Sequence, residues 1–362
     1  MPNDQTSDQT ASASSALSGF DPDAAASADG IFGLPHSEEQ SLVVITPVPF
    51  DATTSYHTGT AGTPEAVYDA SMQVDLFDHQ YGRLYEHGIF LRKADAQIAT
   101  WSDEARAIAE PIIAAGGEGS DDDLATVNAY SKKVEDSVYA STKSVLEAGK
   151  IPALLGGDHS TPLGAMRAVD DFVGAEKGRF GILQIDAHID LRTAFEGFEQ
   201  SHASILHNAL DRCANLKRVV MIGIRDYCEA ELDHPARADG RVVTNFDQDW
   251  ARRRAAGETV MALIDEAIQQ LPDAVYITVD IDGLSPDLCP GTGTPVPGGL
   301  SFGEYALVLE RLVRAGKRVI GFDLVEVCPT EGDREWNATV GARALYKLCG
   351  CAMASRGVVG LR

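Results

Sequence analysis

The sequence predicts an α/β fold, a parallel sheet covered by helices on both faces, and three observations carry that prediction. From residue 151 onward, short apolar runs alternate with longer amphipathic ones, the pattern of a parallel sheet. The short runs, such as Phe180-Gly-Ile-Leu-Gln-Ile185, have the length and flanks of strands buried on both faces. No internal repeat and no linker interrupts the chain after residue 40, so 41–362 reads as one domain.

In chain order, residues 1–40 are rich in Ser, Ala, Asp and Gly, and are expected to form a disordered acidic tail. A strand should follow over Leu42–Phe50. The polar, glycine-bearing loop 51–64 comes next, the kind of segment that carries function. Pro64 in a first helical turn, with Thr63 as N-cap, starts a helix. Further helices are expected near 103–115, 122–148, 161–170, 203–213, 258–271, 303–315 and 336–350. Strands are expected near 151–155, 180–186, 218–224, 274–280 and 318–325.

Composition narrows the function classes. Of 362 residues, 44% are hydrophobic, ample for a core, yet no apolar stretch is long enough to span a bilayer. The N-terminus lacks the basic-then-apolar pattern of a secretory signal, and six cysteines (Cys213, Cys228, Cys289, Cys328, Cys349, Cys351) show no framework spacing. A reduced, cytoplasmic protein is expected. The net charge of −24 argues against nucleic acid or an anionic membrane as partner. Only nine of the 30 basic residues are lysine. Such a surface suits a protein working in high salt, where self-repulsion is screened; a melting temperature that fails to rise from low to molar KCl would contradict that reading.

The chemistry is concentrated at strand ends. Asp186, His188 and Asp190 follow the run at 180–185 at alternate positions, which on a continuing strand places all three on one face. Ionisable groups at the tip of a hydrophobic strand are costly unless compensated, and a divalent cation compensates them directly. Ile151-Pro-Ala-Leu-Leu-Gly-Gly-Asp-His159 closes on His159, and Ala274-Val-Tyr-Ile-Thr-Val-Asp-Ile-Asp282 on Asp280 and Asp282. Two histidines and four aspartates from three strand ends stand where open α/β sheets place their sites. They exceed the needs of one ion and suit a bridged pair. Imidazole with carboxylate accepts Mn²⁺ and tolerates Ni²⁺.

Four motifs in order, GGDHS (156–160), DAHID (186–190), Ser201-His202 and DIDGLSPDLCPGTGTPVPGGLS (280–301), resemble the arginase–agmatinase (ureohydrolase) family from about Val43 to the C-terminus. One departure is Ser285 before Pro286, where the family usually carries aspartate. The resemblance implies a three-layer α/β/α fold with a parallel sheet of about eight strands, and a homotrimer or homohexamer. It also implies hydrolysis of a guanidino C–N bond through a hydroxide bridging two metal ions, whose water is activated by a lowered pKa. By motif, His159 and Asp190 hold the first ion, His188 and Asp282 the second, and Asp186 and Asp280 bridge both. Asp190 also orients the nucleophile. Glu326, at the end of 318–325, pairs with the substrate guanidinium, and His202 shuttles a proton; His207 reads as packing or surface.

The substrate rests on fewer residues. Arg192 either faces the pocket, repelling the distal amine of agmatine, or pairs with Glu196 or Asp226. Cys228 stands where arginases usually place an aspartate for the amino-acid ammonium. Thr54, Tyr56, Phe195 and Phe198 add hydroxyls and bulk around the entrance, as a small wall. Together these features resemble the guanidine-hydrolysing branch of the family, often labelled agmatinase, which converts guanidine to urea and ammonia. The alternatives are an agmatinase, a guanidinobutyrase, a formimidoylglutamase, and outside enzymes a metal-binding homologue without catalysis.

Overall fold

A computed structural model describes residues 16–26, 28–332 and 335–362. Eight strands form one sheet: β1 (Val43–Val48), β2 (Ile89–Leu91), β3 (Ile151–Gly156), β4 (Phe180–Ile185), β5 (Leu216–Ile224), β6 (Val242–Phe246), β7 (Ala274–Asp280) and β8 (Arg318–Val325). Their order is β2-β1-β3-β8-β7-β4-β5-β6, and every pairing is parallel.

Because strand side chains alternate, each central strand feeds two cores. Leu183 and Ile185 of β4, with Val275, Ile277 and Val279 of β7, pack beneath the helices Thr63–Ser71, Val260–Gln269, Phe302–Arg314 and Trp336–Ser355. Phe180, Ile182, Tyr276 and Ile320 point the other way, towards Asp121–Glu147, Leu163–Ala175 and Ile205–Arg212. The expected three-layer α/β/α architecture is the observed one. Among the described residues, no helix is long and apolar enough to cross a membrane.

Three expectations need correction. Residues 28–40 are packed rather than disordered: Ile31, Phe32 and Leu34 are buried in the core, Phe32 N–H donates to Ser71 Oγ at 2.9 Å, and Glu38 pairs with Arg92. Three large apolar side chains within a Ser/Ala/Asp-rich segment are enough to dock it; residues 1–15 and 27 of the expected tail lie outside the described residues. Thr63 is not the N-cap of the helix Thr63–Ser71; Gly62 is, and the buried Thr63 hydroxyl donates to Val327 O at 2.6 Å, tying the helix to the end of β8. The edge strands β2 and β6, and the helix Asp247–Ala255 after β6, were not anticipated. Both strands are short and flanked by polar residues, so they present little periodicity to read.

Candidate active site and metal centre

The four central strands, β3, β8, β7 and β4, are neighbours in that order, and their carboxyl ends are level: Leu155 pairs with Leu324, Asp280 with Val325, and Ile185 with Val279. The six expected ligands and Glu326 all sit at or within a few residues of one of these ends. Two glycines permit the close approach. A Cβ on Gly157 would lie 1.9 Å from Phe50 O, and one on Gly283 would lie 2.5 Å from Asp186 N. Only glycine lets these turns press the ligand-bearing backbones together.

The six expected ligands converge. His159 Nδ1 lies 3.0 Å from Asp186 Oδ2, 3.0 Å from Asp190 Oδ2 and 3.5 Å from Asp280 Oδ2. His188 Nδ1 lies 3.0 Å from Asp282 Oδ2 and 3.5 Å from Asp186 Oδ1. Two clusters able to hold a cation result, His159–Asp186–Asp190 and Asp186–His188–Asp282, with Asp186 common to both. Asp280 ties the clusters together from the other side, accepting Asp282 N–H at 2.8 Å. The alternate spacing at 186–190 does not arise from a continuing strand, since β4 ends at Ile185 and Asp190 has a left-handed φ of 56°. Glu326 is left-handed too, at 62°. Both non-glycine residues hold a sparsely populated conformation at the centre of the site, where such strain is typically retained for function.

Electrostatics supply a test of whether cations fit. Burial, and then the charge of Asp186, push the Asp190 carboxyl up; burial with Asp282 and Asp186 does the same to Asp280. Burial alone would raise Asp186 as well, but the imidazoles bonded to it hold it well below the usual range. Burial opposes charge on His159, yet Asp186, Asp190 and Asp280 raise it strongly. The centre is short of positive charge, and two imidazoles must borrow protons to supply it. Divalent cations would relieve this directly, so the donor set fits a pair of them.

Over this floor lies a cavity of about 210 Å³, lined by His159, His188, Asp190, Asp280 and Glu326 below, and by Ser55, Arg192, Phe195, His202, Asp226, Tyr227, Glu231 and Thr294 above and around. Glu326 Oε1 accepts His159 N–H at 2.9 Å, while its buried Oε2 has no hydrogen-bond partner. Burial, then Asp280 and Asp158, raise its pKa. His202 faces Ser55 Oγ across 3.4 Å and sits edge-on to Phe195. Burial, then the charges of His188 and His159, lower it to about 3, so its imidazole is neutral.

The rim differs from expectation. Arg192 does line the cavity, stacked over the Phe195 ring at 4.7 Å, but its carboxylate neighbour is Glu231, at 3.9 Å, rather than Glu196 or Asp226. Phe198 is no part of the wall: it is fully buried against Ala109, Ile112 and Val127, in a crevice between the helices Ala96–Ala114 and Asp121–Glu147. Tyr56 is 69% exposed and stacks on His57, away from the cavity. Thr54 is buried behind the lining, and Ser55 takes its place there. Cys228 lies beside the cavity, not in it; its N–H donates to Glu231 Oε2 at 2.9 Å. Glu231 escaped the sequence reading. Its one signal is a glutamate three residues past a helix start, a capping pattern, which says nothing of a cavity. His207 packs against His234, ring nitrogens 3.2 Å apart. Ser285 binds Leu300 O through its backbone and stays outside the cavity.

The arginase family model matches residues 41–350. This chain belongs to the arginase family. An N(1)-aminopropylagmatine ureohydrolase from Synechocystis sp. is 32% identical over 315 residues, covering 87% of this chain and 90% of the relative. A guanidinobutyrase from Pseudomonas aeruginosa is 32% identical over 208 residues, 56% of this chain and 61% of its own. Among solved structures, the agmatine ureohydrolase of Thermoplasma volcanium superposes with a TM-score of 0.67 at 24% identity, covering 95% of this chain and 99% of that one, which is a likeness of fold. The protein is an arginase-family ureohydrolase, and the strand-end cluster is its candidate centre.

Proposed function

We propose that this ureohydrolase hydrolyses guanidine to urea and ammonia at a centre of two divalent ions, Mn²⁺ or Ni²⁺. The observation that carries the reading is Glu326. One of its oxygens is committed to His159 N–H, and the other is buried, unpartnered and on the cavity wall beside the ligand cluster. A guanidinium offers that oxygen an N–H donor and a positive charge, a pairing stronger than a neutral hydrogen bond. His159 and Asp190 would hold one ion, His188 and Asp282 the other, and Asp186 and Asp280 both. Bound there, the ions would supply an activated water as nucleophile and neutralise charge that develops on the substrate.

The chain's own residues do the rest. Glu326 fixes the guanidinium carbon above the ligand floor, which converts an encounter into an oriented attack. Asp190 accepts a hydrogen bond from the nucleophile and sets its direction. The water oxygen forms the new C–O bond as one C–N bond breaks. His202, neutral at rest, takes up the proton released and hands it to the departing nitrogen, so guanidinium and water become urea and ammonium. The choice of guanidine is supported by Arg192, a cation on the cavity wall that would repel the amine of a longer substrate.

A second reading has its own support. Asp226 and Glu231 line the same cavity and offer carboxylates to a distal amine, as agmatine or N(1)-aminopropylagmatine would require. A guanidino acid such as 4-guanidinobutyrate would use Arg192 instead. Urea release by enzyme loaded with Mn²⁺ or Ni²⁺ should show the highest kcat/KM for guanidine. A higher value for agmatine, its aminopropyl derivative or guanidinobutyrate with both metals removes guanidine as the substrate and leaves the ureohydrolase standing.

A further inference from the structure

Behind the ligand floor runs a chain of buried polar groups that takes no part in the reaction above. His159 Nε2 lies 2.9 Å from Thr278 Oγ1, and Thr278 Oγ1 donates to Asp323 Oδ1 at 2.8 Å. Val279 N–H reaches the same Asp323 oxygen at 3.3 Å. Thr278 and Asp323 have no solvent exposure, and His159 has 1%.

The donor and acceptor roles can be assigned in sequence. Asp323 Oδ1 receives a backbone N–H, so it is an acceptor, and the single hydroxyl hydrogen of Thr278 goes to it. What Thr278 Oγ1 has left to offer His159 is a lone pair. His159 Nε2 must then carry a hydrogen. A cation that takes the place of a proton on this ring therefore meets it at Nδ1, the nitrogen 3.0 Å from Asp186 and Asp190.

His188 has no such support. Among the described residues no protein group bonds its second ring nitrogen, and its side chain is 24% exposed. The two ion positions therefore have unequal foundations, one ring locked from behind and one held only from the front.

We infer that Thr278 and Asp323 are positioning residues that lock His159 in its Nε2–H tautomer, and so strengthen ion binding at the His159 position. The inference rests on the proposed role of His159 as a metal ligand. Partners behind a ligating histidine fix ring orientation and raise its basicity, and their loss typically weakens binding 10- to 100-fold. Thr278→Val replaces the hydroxyl by a methyl of nearly equal volume, and Thr278→Ser keeps the hydroxyl.

The test is competitive titration of the metal-free protein with Mn²⁺ and with Ni²⁺, read as occupancy and dissociation constant for each ion, with the melting temperature of the metal-free form measured alongside. Wild type should bind two ions with unequal affinities. Thr278→Val should weaken one of the two about 10- to 100-fold and leave the other within about two-fold, while Thr278→Ser stays near wild type. A role in packing alone would instead lower the metal-free melting temperature and spare the affinities. Should the valine variant fail to fold, Thr278→Ala removes the same hydroxyl and carries the same expectation. Two ions bound with wild-type affinities by any folded variant lacking the hydroxyl overturns the inference. A wild type that binds no ion overturns the metal centre itself, a distinguishable result.

Discussion

The floor of the cavity and its rim are built differently. The floor consists of six candidate metal ligands and Glu326, carried within a few residues of four adjacent parallel strands whose ends are held level by backbone pairing. The rim consists of side chains from the loops around 55, 192–202 and 226–231, whose positions depend on what each loop packs against. Strand ends tolerate little displacement, because moving one ligand means moving a sheet buried on both faces. Loops can change residue by residue. The floor thus fixes the reaction class, guanidino C–N hydrolysis, while the rim selects the substrate, as expected when function is carried by loops on a rigid scaffold.

The largest expected effect strikes the floor. Asp186 is fully buried and belongs to both cation clusters. Asp186→Ala should therefore remove bound metal and activity together, measured by elemental analysis and urea release. Full activity with two ions still bound would break the dinuclear assignment.

Glu326→Gln separates binding from ligation. The amide keeps the shape and the acceptor for His159 N–H, but removes the charge that meets guanidinium. A fall in kcat/KM of at least two orders of magnitude is expected, about 3 kcal/mol or more, with metal content unchanged. Loss of metal in this variant would move Glu326 into the ligand set and blur the division between ligands and substrate holder.

At the rim the two phenylalanines should part company. Phe198 fills a crevice between two helices, so Phe198→Ala should cost about 3 kcal/mol of stability by leaving a cavity, seen in denaturant unfolding. Phe195 forms the wall under Arg192. Phe195→Ala should raise kcat/KM for agmatine relative to guanidine by about ten-fold, roughly 1.4 kcal/mol of lost exclusion. If Phe198→Ala shifts substrate preference more than Phe195→Ala does, the wall has been drawn in the wrong place.

The same division explains what could be read from the sequence. His159, Asp186, His188, Asp190, Asp280 and Asp282 were legible because a buried apolar run ending in acidic residues has few physical explanations, and three such runs in one chain have fewer. Phe198 was misread because a sequence shows that an aromatic is near the site but not which way its loop turns it. The chain reverses between Phe195 and Phe198 through left-handed residues, Glu196 at 51° and Gly197 at 83°, and a crevice formed by residues some 70–90 positions earlier claims the second ring. Ile31, Phe32 and Leu34 were lost for a related reason. Their docking depends on partners such as Ser71, some 40 residues away, while the surrounding composition indicates disorder.

The smallest expected effect is at Tyr56, and it bears on whether the rim ends at Ser55. An aromatic ring two residues beyond Thr54 is an attractive candidate for a pocket wall. The ring is instead 69% exposed, stacked on His57 with centroids 4.0 Å apart. Two aromatic rings stacked in water gain little beyond what solvent already offers each face. Tyr56→Ala should therefore change stability by less than about 0.5 kcal/mol, as surface substitutions usually do. It should also leave the guanidine-to-agmatine ratio of kcat/KM within about two-fold, because the ring does not line the cavity. A ten-fold shift in that ratio would mean that substrate draws Tyr56 inward, so that the loop 51–62 closes over the site in the working enzyme. Selection at the rim would then depend on that closure as well as on the wall at Phe195.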